Sequence, residues 1–198
     1  MSKKILIIDG SLGGIKGNSQ ELVKKNIEEL KKYEAVIDVI HLKDLSNLRH
    51  EWLKDKLHWA DGFIFNSGTY WDSWGSPMQN FLESITDFEG TSLLLGKPAS
   101  VLITMHSVGG KEVLSRLQGV LNTMGLAIPP MSGMVYSLAT HLALNDKTLD
   151  FGADFWSMDD SEIIVHNFMT YLHGKNNYQA WPVDRKDPTR KWLSPTLK

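Results

Sequence analysis

The sequence predicts an α/β fold in which a five-stranded parallel sheet is doubly wound, so that helices cover both of its faces. Two observations support this fold class. Short apolar runs alternate along the chain with amphipathic stretches of helical spacing. Several of these runs are nearly continuous, as expected of strands that are buried on both sides. The predicted strands are 4–9, 35–41, 62–67, 99–105 and 126–135, and the predicted helices are 20–33, 47–59, 78–87, 111–124 and 159–173.

The predicted elements differ in clarity. The first, third and fourth strands are the most uniformly apolar, whereas the fifth is interrupted by Pro129 and Pro130, which cannot donate a sheet hydrogen bond. The first and fourth helices carry apolar residues at helical spacing. Ser76 is expected to cap the third helix, with Pro77 in its first turn. The acidic run 159–162 is expected to begin the last helix, because its charges complement the helix dipole.

Composition narrows the classes of function. The chain has 198 residues, 42% hydrophobic and 22% charged, which suits a single domain of 1–198 with 174–198 as a C-terminal extension. A net charge of −2 gives no reason to expect a nucleic-acid partner. No apolar run is long enough to span a membrane, and we expect a cytoplasmic protein. Without cysteine, redox chemistry requires a bound cofactor, and the scattered histidines predict no metal site.

The first loop (10–19) joins the first strand to the first helix and is rich in glycine and hydroxyl groups. Glycines let the backbone approach a ligand closely, and the free N–H groups of a helix start favour an anion. The loop matches neither the P-loop nor the spaced-glycine dinucleotide pattern. It is therefore either a cradle for a phosphate of another kind or a glycine-rich turn without a ligand.

The second loop (68–77) follows the third strand and contains Tyr70, Trp71 and Trp74. A planar ring system can stack on Tyr70 or Trp71 while backbone N–H groups of the loop bind its heteroatoms. The alternative is a dimer interface or a local aromatic cluster. Because the carboxyl ends of parallel strands share one edge of the sheet, this loop is expected near the first.

The third loop (106–110) follows the fourth strand and contains His106, Ser107 and two glycines, Gly109 and Gly110. His106 is either a hydrogen-bond donor to a ligand carbonyl or a participant in proton transfer, or else a turn histidine without chemistry. The three loops together predict one ligand site beyond the carboxyl ends of the strands.

On this fold and in this order, the three loops resemble those of the NAD(P)H-dependent FMN reductases of the flavodoxin-like superfamily. The similarity covers about residues 3 to 135. The matching residues are Gly10, Ser11, Asn18 and Ser19 in the first loop; Gly68, Thr69, Tyr70, Trp71 and Ser73 in the second, with the helix 78–83 behind it; and Ser107, Gly109 and Gly110 in the third, after a Gly-Lys-Pro sequence at 96–98. The chain departs from the family pattern at Leu12, where an arginine is expected, so that Lys16 is the nearest cation.

The resemblance implies a flavoprotein oxidoreductase with FMN as cofactor. In such enzymes NAD(P)H passes a hydride to the flavin, the nicotinamide leaves, and a small-molecule acceptor such as a quinone, flavin, azo or nitro compound takes the electrons. It implies that Ser11, Lys16, Asn18 and Ser19 hold the phosphate. The residues implied at the flavin ring are Thr69, Tyr70, Trp71, Asp72, Ser73, His106, Ser107, Gly109 and Gly110, with Trp71 or Trp74 walling its open face.

Members of this family commonly form dimers or tetramers, so the resemblance implies a homodimer or homotetramer. Besides a structural domain without a ligand, two other functions stay open at this point. One is a non-enzymatic electron carrier of the flavodoxin type, although the near-neutral charge lacks the strongly acidic surface typical of carriers. The other is a flavin-binding sensor or assembly protein whose aromatic C-terminal extension recruits a partner.

Overall fold

The fold is a three-layer sandwich around one parallel sheet. The computed structural model describes residues 2–45, 48–145 and 156–174, without the side chains of 140 and 143–145. The sheet has the order β2-β1-β3-β4-β5, and every neighbouring pair is parallel. Its strands are β1 (Lys4–Asp9), β2 (Val36–His41), β3 (Gly62–Gly68), β4 (Ala99–Met105) and β5 (Gly133–Ser137). The predicted five-stranded, doubly wound parallel sheet is confirmed.

Helices cover both faces of the sheet. They are α1 (Ser19–Lys31), α2 (His50–Trp59), α3 (Ser76–Ser84), α4 (Gly110–Thr123), α5 (Leu138–Asn145) and α6 (Ser161–Leu172). Successive residues of a strand point to opposite faces. Ile5 and Ile7 of β1 accordingly pack in the core beneath α1 and α6, whereas Leu6 and Ile8 pack in the larger core beneath α2, α3 and α4.

Two predictions of local structure need correction, and one helix was not predicted. The fifth strand begins at Gly133 rather than 126, because the prolines break the apolar run; only Ala127 forms an isolated bridge there, with Pro98. Ser76 is the first helical residue of α3 rather than its cap, which is Gly75. Helix α5 follows β5 directly and was not predicted. The predicted extension lies outside the described residues beyond Gly174.

Because all five strands are parallel, their carboxyl ends meet at one edge of the sheet, where the three loops and the start of α5 lie together. None of the described helices is long and apolar enough to cross a membrane. Within the described residues, no group of three or more histidine or acidic side chains is placed to hold a metal ion.

Candidate functional site

A cleft of about 730 Å³ opens at the carboxyl edge of the sheet. This volume lies within the range of roughly 300–1,000 Å³ that is typical of cofactor and small-molecule sites. The residues that line it come from the three loops, the first turn of α1, the ends of β4 and β5, α5 and the segment before α6: Ser11, Gly13, Lys16, Gly17, Asn18, Ser19, Glu21, Gly68, Thr69, Tyr70, Thr104, Met105, His106, Tyr136, Leu138, His141 and Met158.

The first loop forms one end of the cleft and presents unused hydrogen-bond donors there. Helix α1 begins at Ser19, and in the described part of the chain neither the N–H of Asn18 nor that of Ser19 makes a backbone hydrogen bond. The buried hydroxyl of Ser11 also has no partner among the described residues. Lys16 lies exposed at the cleft wall. Free N–H groups at the positive end of a helix, with a hydroxyl and a cation nearby, suit a phosphate.

A buried carboxylate holds this loop in shape. Asp9 ends β1 and is fully buried. One of its oxygens accepts hydrogen bonds from the Ser11 N–H at 3.1 Å and from Asn66 Nδ2 at 2.8 Å. The other accepts from Gln20 Nε2 at 3.1 Å and pairs with His41 Nδ1 at 2.9 Å. A buried charge needs such a set of partners, and this set ties the loop to three strands and to α1.

The Ser19 side chain links the first loop to β4. Its hydroxyl lies 2.7 Å from that of Thr104, and both residues line the cleft. Thr104 was not predicted as a site residue, because it lies inside an apolar strand pattern. Its register opposite Tyr136 of β5 extends this polar wall across the sheet edge.

The second loop turns tightly at the other end of the cleft. Tyr70 and Ser73 exchange both backbone hydrogen bonds around a two-residue turn formed by Trp71 and Asp72. Both turn residues have positive φ, +48° and +55°, a conformation that costs a bulky residue energy. The Trp71 side chain is fully exposed. Arg116 of α4 stabilises the turn, because its Nη1 donates a hydrogen bond to the Asp72 carbonyl at 3.0 Å.

Two residues of the second loop differ sharply in their surroundings. The buried Thr69 hydroxyl, at the cleft, has no hydrogen-bond partner among the described residues. Trp74 instead turns away toward α3 and α4, where its Nε1 donates to Gln79 at 2.8 Å and the Arg116 guanidinium lies 5.2 Å from its ring. Trp74 lines a separate shallow groove there and not the cleft.

The third loop packs against the second. Gly109 has a φ of +83°, and a Cβ at that position would lie 2.2 Å from Asp72 Oδ1, so only glycine fits. His106 is exposed at the cleft wall, and its carbonyl accepts a hydrogen bond from the Ala139 N–H of α5 at 3.1 Å. The third loop therefore connects the second loop to α5.

The structure brings seven of the thirteen predicted site residues to the cleft wall: Ser11, Lys16, Asn18, Ser19, Thr69, Tyr70 and His106. The remaining six lie in the same loops but outside its lining: Trp71, Asp72, Ser73, Ser107, Gly109 and Gly110. Sequence reasoning missed Thr104, Tyr136, His141 and Met158. Tyr136 lies within β5, beyond the end of the predicted strand, and His141 lies in α5, which was not predicted, so neither position was marked as part of the site.

Solved structures with this fold are diverse. One is RosB with a bound 8-demethyl-8-formylriboflavin-5'-phosphate intermediate, which is 14% identical, covers 100% of this chain and 98% of its own, and has a TM-score of 0.69. The NADH:FMN oxidoreductase EmoB in its apo form is 21% identical over 86% of this chain and 89% of its own, with a TM-score of 0.63. A flavodoxin from the domain Archaea is 14% identical over 85% and 98%, with a TM-score of 0.59. At these identities they show the fold alone. No curated protein matches the chain in sequence.

The family model described as NADPH-dependent FMN reductase matches residues 3–140. The cleft fits FMN: the unused N–H groups of Asn18 and Ser19 and the unpartnered hydroxyl of Ser11 suit its phosphate, and the unpartnered hydroxyl of Thr69 suits a polar ring edge. FMN, with NAD(P)H as electron donor, is the cofactor that this family implies. The chain belongs to the NADPH-dependent FMN reductase family of flavin-dependent oxidoreductases.

Proposed function

We propose that this protein takes electrons from NAD(P)H and passes them, with FMN held in the cleft, to a small organic acceptor such as a quinone, flavin, azo or nitro compound. The observation that carries this proposal is the set of unused donors at the first loop, which lies at one end of a cleft large enough for a cofactor. When bound, FMN supplies the hydride and electron chemistry that these side chains lack.

At the first loop, we propose that the phosphate is held by the backbone N–H groups of Asn18 and Ser19 and by the Ser11 hydroxyl. Leu12 stands where the family carries arginine, so binding relies on these short-range donors and on Lys16. Charge-assisted hydrogen bonds to an anion are stronger than neutral ones, and the helix dipole of α1 adds to them.

At the other end, residues 69–73 and 106–110 are proposed to surround the ring system. Thr69, Tyr70 and His106 line the cleft directly. The same two loops also hold, outside the lining, Trp71, Asp72, Ser73, Ser107, Gly109 and Gly110. Asp72 lies so close to Gly109 that a Cβ there would clash with its carboxylate, so the two loops pack against each other at this point. The exposed Trp71 ring is then available to a second flat molecule, the nicotinamide or the acceptor.

We also propose that the protein associates with copies of itself. The loops and α5 at the carboxyl edge carry a group of exposed apolar side chains, which would gain from burial against another subunit: Leu12, Ile15, Trp71, Val108 and Leu142. Sedimentation analysis with and without FMN measures this association, and a monomer under both conditions contradicts it.

The central experiment reconstitutes the protein with FMN and follows its reduction by NADPH and NADH in a stopped-flow instrument. We expect hydride transfer well above the rate of free FMN. A holoprotein that binds FMN but is reduced no faster than free FMN contradicts the oxidoreductase proposal and favours an electron carrier.

The position of the phosphate is tested by Ser11→Ala. Losing this buried hydroxyl, which has no partner among the described residues, removes one of the proposed phosphate donors, so we expect FMN affinity to fall about five- to tenfold, in proportion to one hydrogen bond of about 1 kcal/mol. The matched control is Ser84→Ala, which removes a helical hydroxyl bonded to the Asn80 carbonyl on an exposed face. Fluorescence titration of FMN measures both, and equal affinities would place the phosphate elsewhere.

A further inference from the structure

A hydrogen-bonded tyrosine and histidine form the wall of the cleft on the β5 side. Tyr136 is next to the last residue of β5, and His141 lies in α5. The phenol oxygen is hydrogen-bonded to His141 Nδ1, and the two rings meet edge to face, with centroids 5.8 Å apart and planes at 65°. Both residues line the cleft. The pair is separate from the phosphate donors proposed at the first loop.

The chain contains a second pair of the same kind, and it lies elsewhere. Tyr33, just after α1, and His166 of α6 are joined by a hydrogen bond of 3.1 Å between the phenol oxygen and Nδ1. Neither residue lines the cleft. The two pairs therefore share their chemistry and differ in location, which makes Tyr33–His166 an internal reference for Tyr136–His141.

The surroundings of Tyr136 suit a group that keeps a proton. Burial raises the pKa of the Tyr136 phenol above its ordinary value, so the phenol stays protonated at neutral pH. His141 is exposed and can exchange protons with water. The other titratable side chains that line the cleft are Lys16 and Glu21, Tyr70 of the second loop, and His106. Of these, His106 is the neighbour on the β4 side, and the first two belong to the first loop and α1.

We infer that Tyr136 is the proton donor to the electron acceptor and that His141 positions it and restores its proton. This inference rests on the proposed function. An exposed histidine with Nδ1 protonated donates to the phenol oxygen, which leaves the phenol hydrogen free for an acceptor atom in the cleft.

The reaction balances with one proton taken from the protein. NAD(P)H contributes two electrons and one proton as hydride, whereas a quinone or azo group that takes two electrons gains two hydrogens. The second O–H or N–H bond of the product forms as the Tyr136 O–H bond breaks. The Nδ1 proton of His141 passes to the phenolate oxygen while solvent delivers a proton to the imidazole, so that the net reaction consumes one proton from solvent. The products are the dihydro acceptor and NAD(P)⁺.

The inference narrows the acceptor class. A proton donor in the cleft accelerates reduction only where an acceptor oxygen or nitrogen must be protonated in the same step. The structure thus assigns this cleft to organic two-electron acceptors with a basic oxygen or nitrogen, and a one-electron metal complex gains nothing from the pair.

The test compares two acceptors on the FMN-loaded protein: p-benzoquinone, which takes protons, and ferricyanide, which takes none. General acids contribute factors of roughly 10²–10⁴. We expect Tyr136→Phe to lower the ratio of the quinone rate to the ferricyanide rate by at least about tenfold, and to abolish the solvent isotope effect on quinone reduction. His141→Gln should lower the same ratio by a smaller factor. Tyr33→Phe, which breaks the reference pair, should leave the ratio unchanged.

A second readout uses binding alone. FMN titration of the apoprotein should give the same affinity, within about twofold, for the wild type and Tyr136→Phe, because the phosphate donors proposed at the first loop do not include Tyr136. An unchanged rate ratio overturns the inference, and so does an equal loss with both acceptors accompanied by weaker FMN binding, which marks a structural role. A wild type that reduces neither acceptor overturns the proposed function, and the inference with it.

Discussion

The carboxyl and amino edges of the sheet differ in whether their buried polar groups have hydrogen-bond partners. Three buried side-chain atoms at the carboxyl edge lack a hydrogen-bond partner among the described residues: the hydroxyls of Ser11 and Thr69 and the amide oxygen of Asn66. At the amino edge, Lys97 Nζ donates to two backbone carbonyls, those of Leu57 and Ala60, each at 2.7 Å.

This difference indicates that the carboxyl edge serves ligand binding, whereas the amino edge serves the stability of the fold. A buried polar atom without a partner costs the protein about 1–3 kcal/mol, so a fold retains such atoms where a ligand can satisfy them. The ammonium of Lys97 caps the end of α2 and needs no ligand. Substitutions at the amino edge should therefore change stability alone, and those at the carboxyl edge should change FMN binding as well.

The largest effect is expected from Asp9→Ala, which affects both properties. Its removal leaves the donors of Ser11, Gln20 and Asn66 without their shared acceptor, and we expect the free energy of unfolding to fall by about 4 kcal/mol. FMN affinity should fall with it. Urea denaturation and FMN titration measure the two effects.

The control is Asp38→Ala, which removes a half-buried ion pair with Lys56 at 2.6 Å and should cost less than about 1 kcal/mol. A stable Asp9→Ala protein with normal FMN affinity would mean that the buried carboxylate does not organise the first loop.

Lys97 gives a pH-dependent test of the amino edge. Burial lowers the pKa of Lys97 from 10.5 to about 8. Between these values the folded protein has released a proton that the unfolded chain still holds, so this group makes the free energy of unfolding rise with pH, by at most about 3 kcal/mol. Lys97→Met should lack this rise in denaturation experiments across that pH window and should bind FMN normally. The same rise in wild type and variant, or weakened FMN binding, would contradict the division between the edges.

The smallest expected effect concerns backbone strain. Trp71→Gly relieves a positive φ in the second loop and should raise the free energy of unfolding by about 1 kcal/mol while it weakens FMN binding. Glu34→Gly is the matched variant at the amino edge, where φ is +54°. It should give a similar gain in stability and the same FMN affinity as wild type. Equal FMN affinities in all three proteins would show that the strained tryptophan has no part in the site.

Much of the architecture could be predicted because the apolar pattern was unambiguous where burial is complete. The predicted bounds of β1 and β4 agree with the structure residue for residue. Five residues of each strand are buried: those of β1 after Lys4, and the first five of β4. The pattern failed at β5, where an apolar run before Pro129 resembles a strand but forms only one bridge. Local sequence does not determine which part of an apolar run will pair with the neighbouring strand of the sheet.

The first-loop end of the cleft could be predicted better than its β5 side. The first loop is one continuous stretch of sequence, so its glycines and hydroxyl groups could be recognised together as a ligand-binding pattern. The network around Asp9 could not be foreseen, because it joins His41 and Asn66 from two other strands. Tyr136 and His141 likewise could be assigned to the site only once the structure had placed them in the cleft wall. The sequence also did not indicate that Trp74, in the same loop as Trp71, lines a different groove.

Helix α6 has a consequence for biosynthesis. The family match ends at residue 140, yet Phe168 of α6 covers β3 so closely that a Cβ on Gly62 would lie 2.8 Å from its ring. Ile64, Leu102 and Met134 share that core with Ile164 and Val165. A nascent chain that has emerged only as far as β5 therefore exposes this apolar face to solvent or to chaperones. Synthesis must reach α6 before this face of the sheet is fully covered.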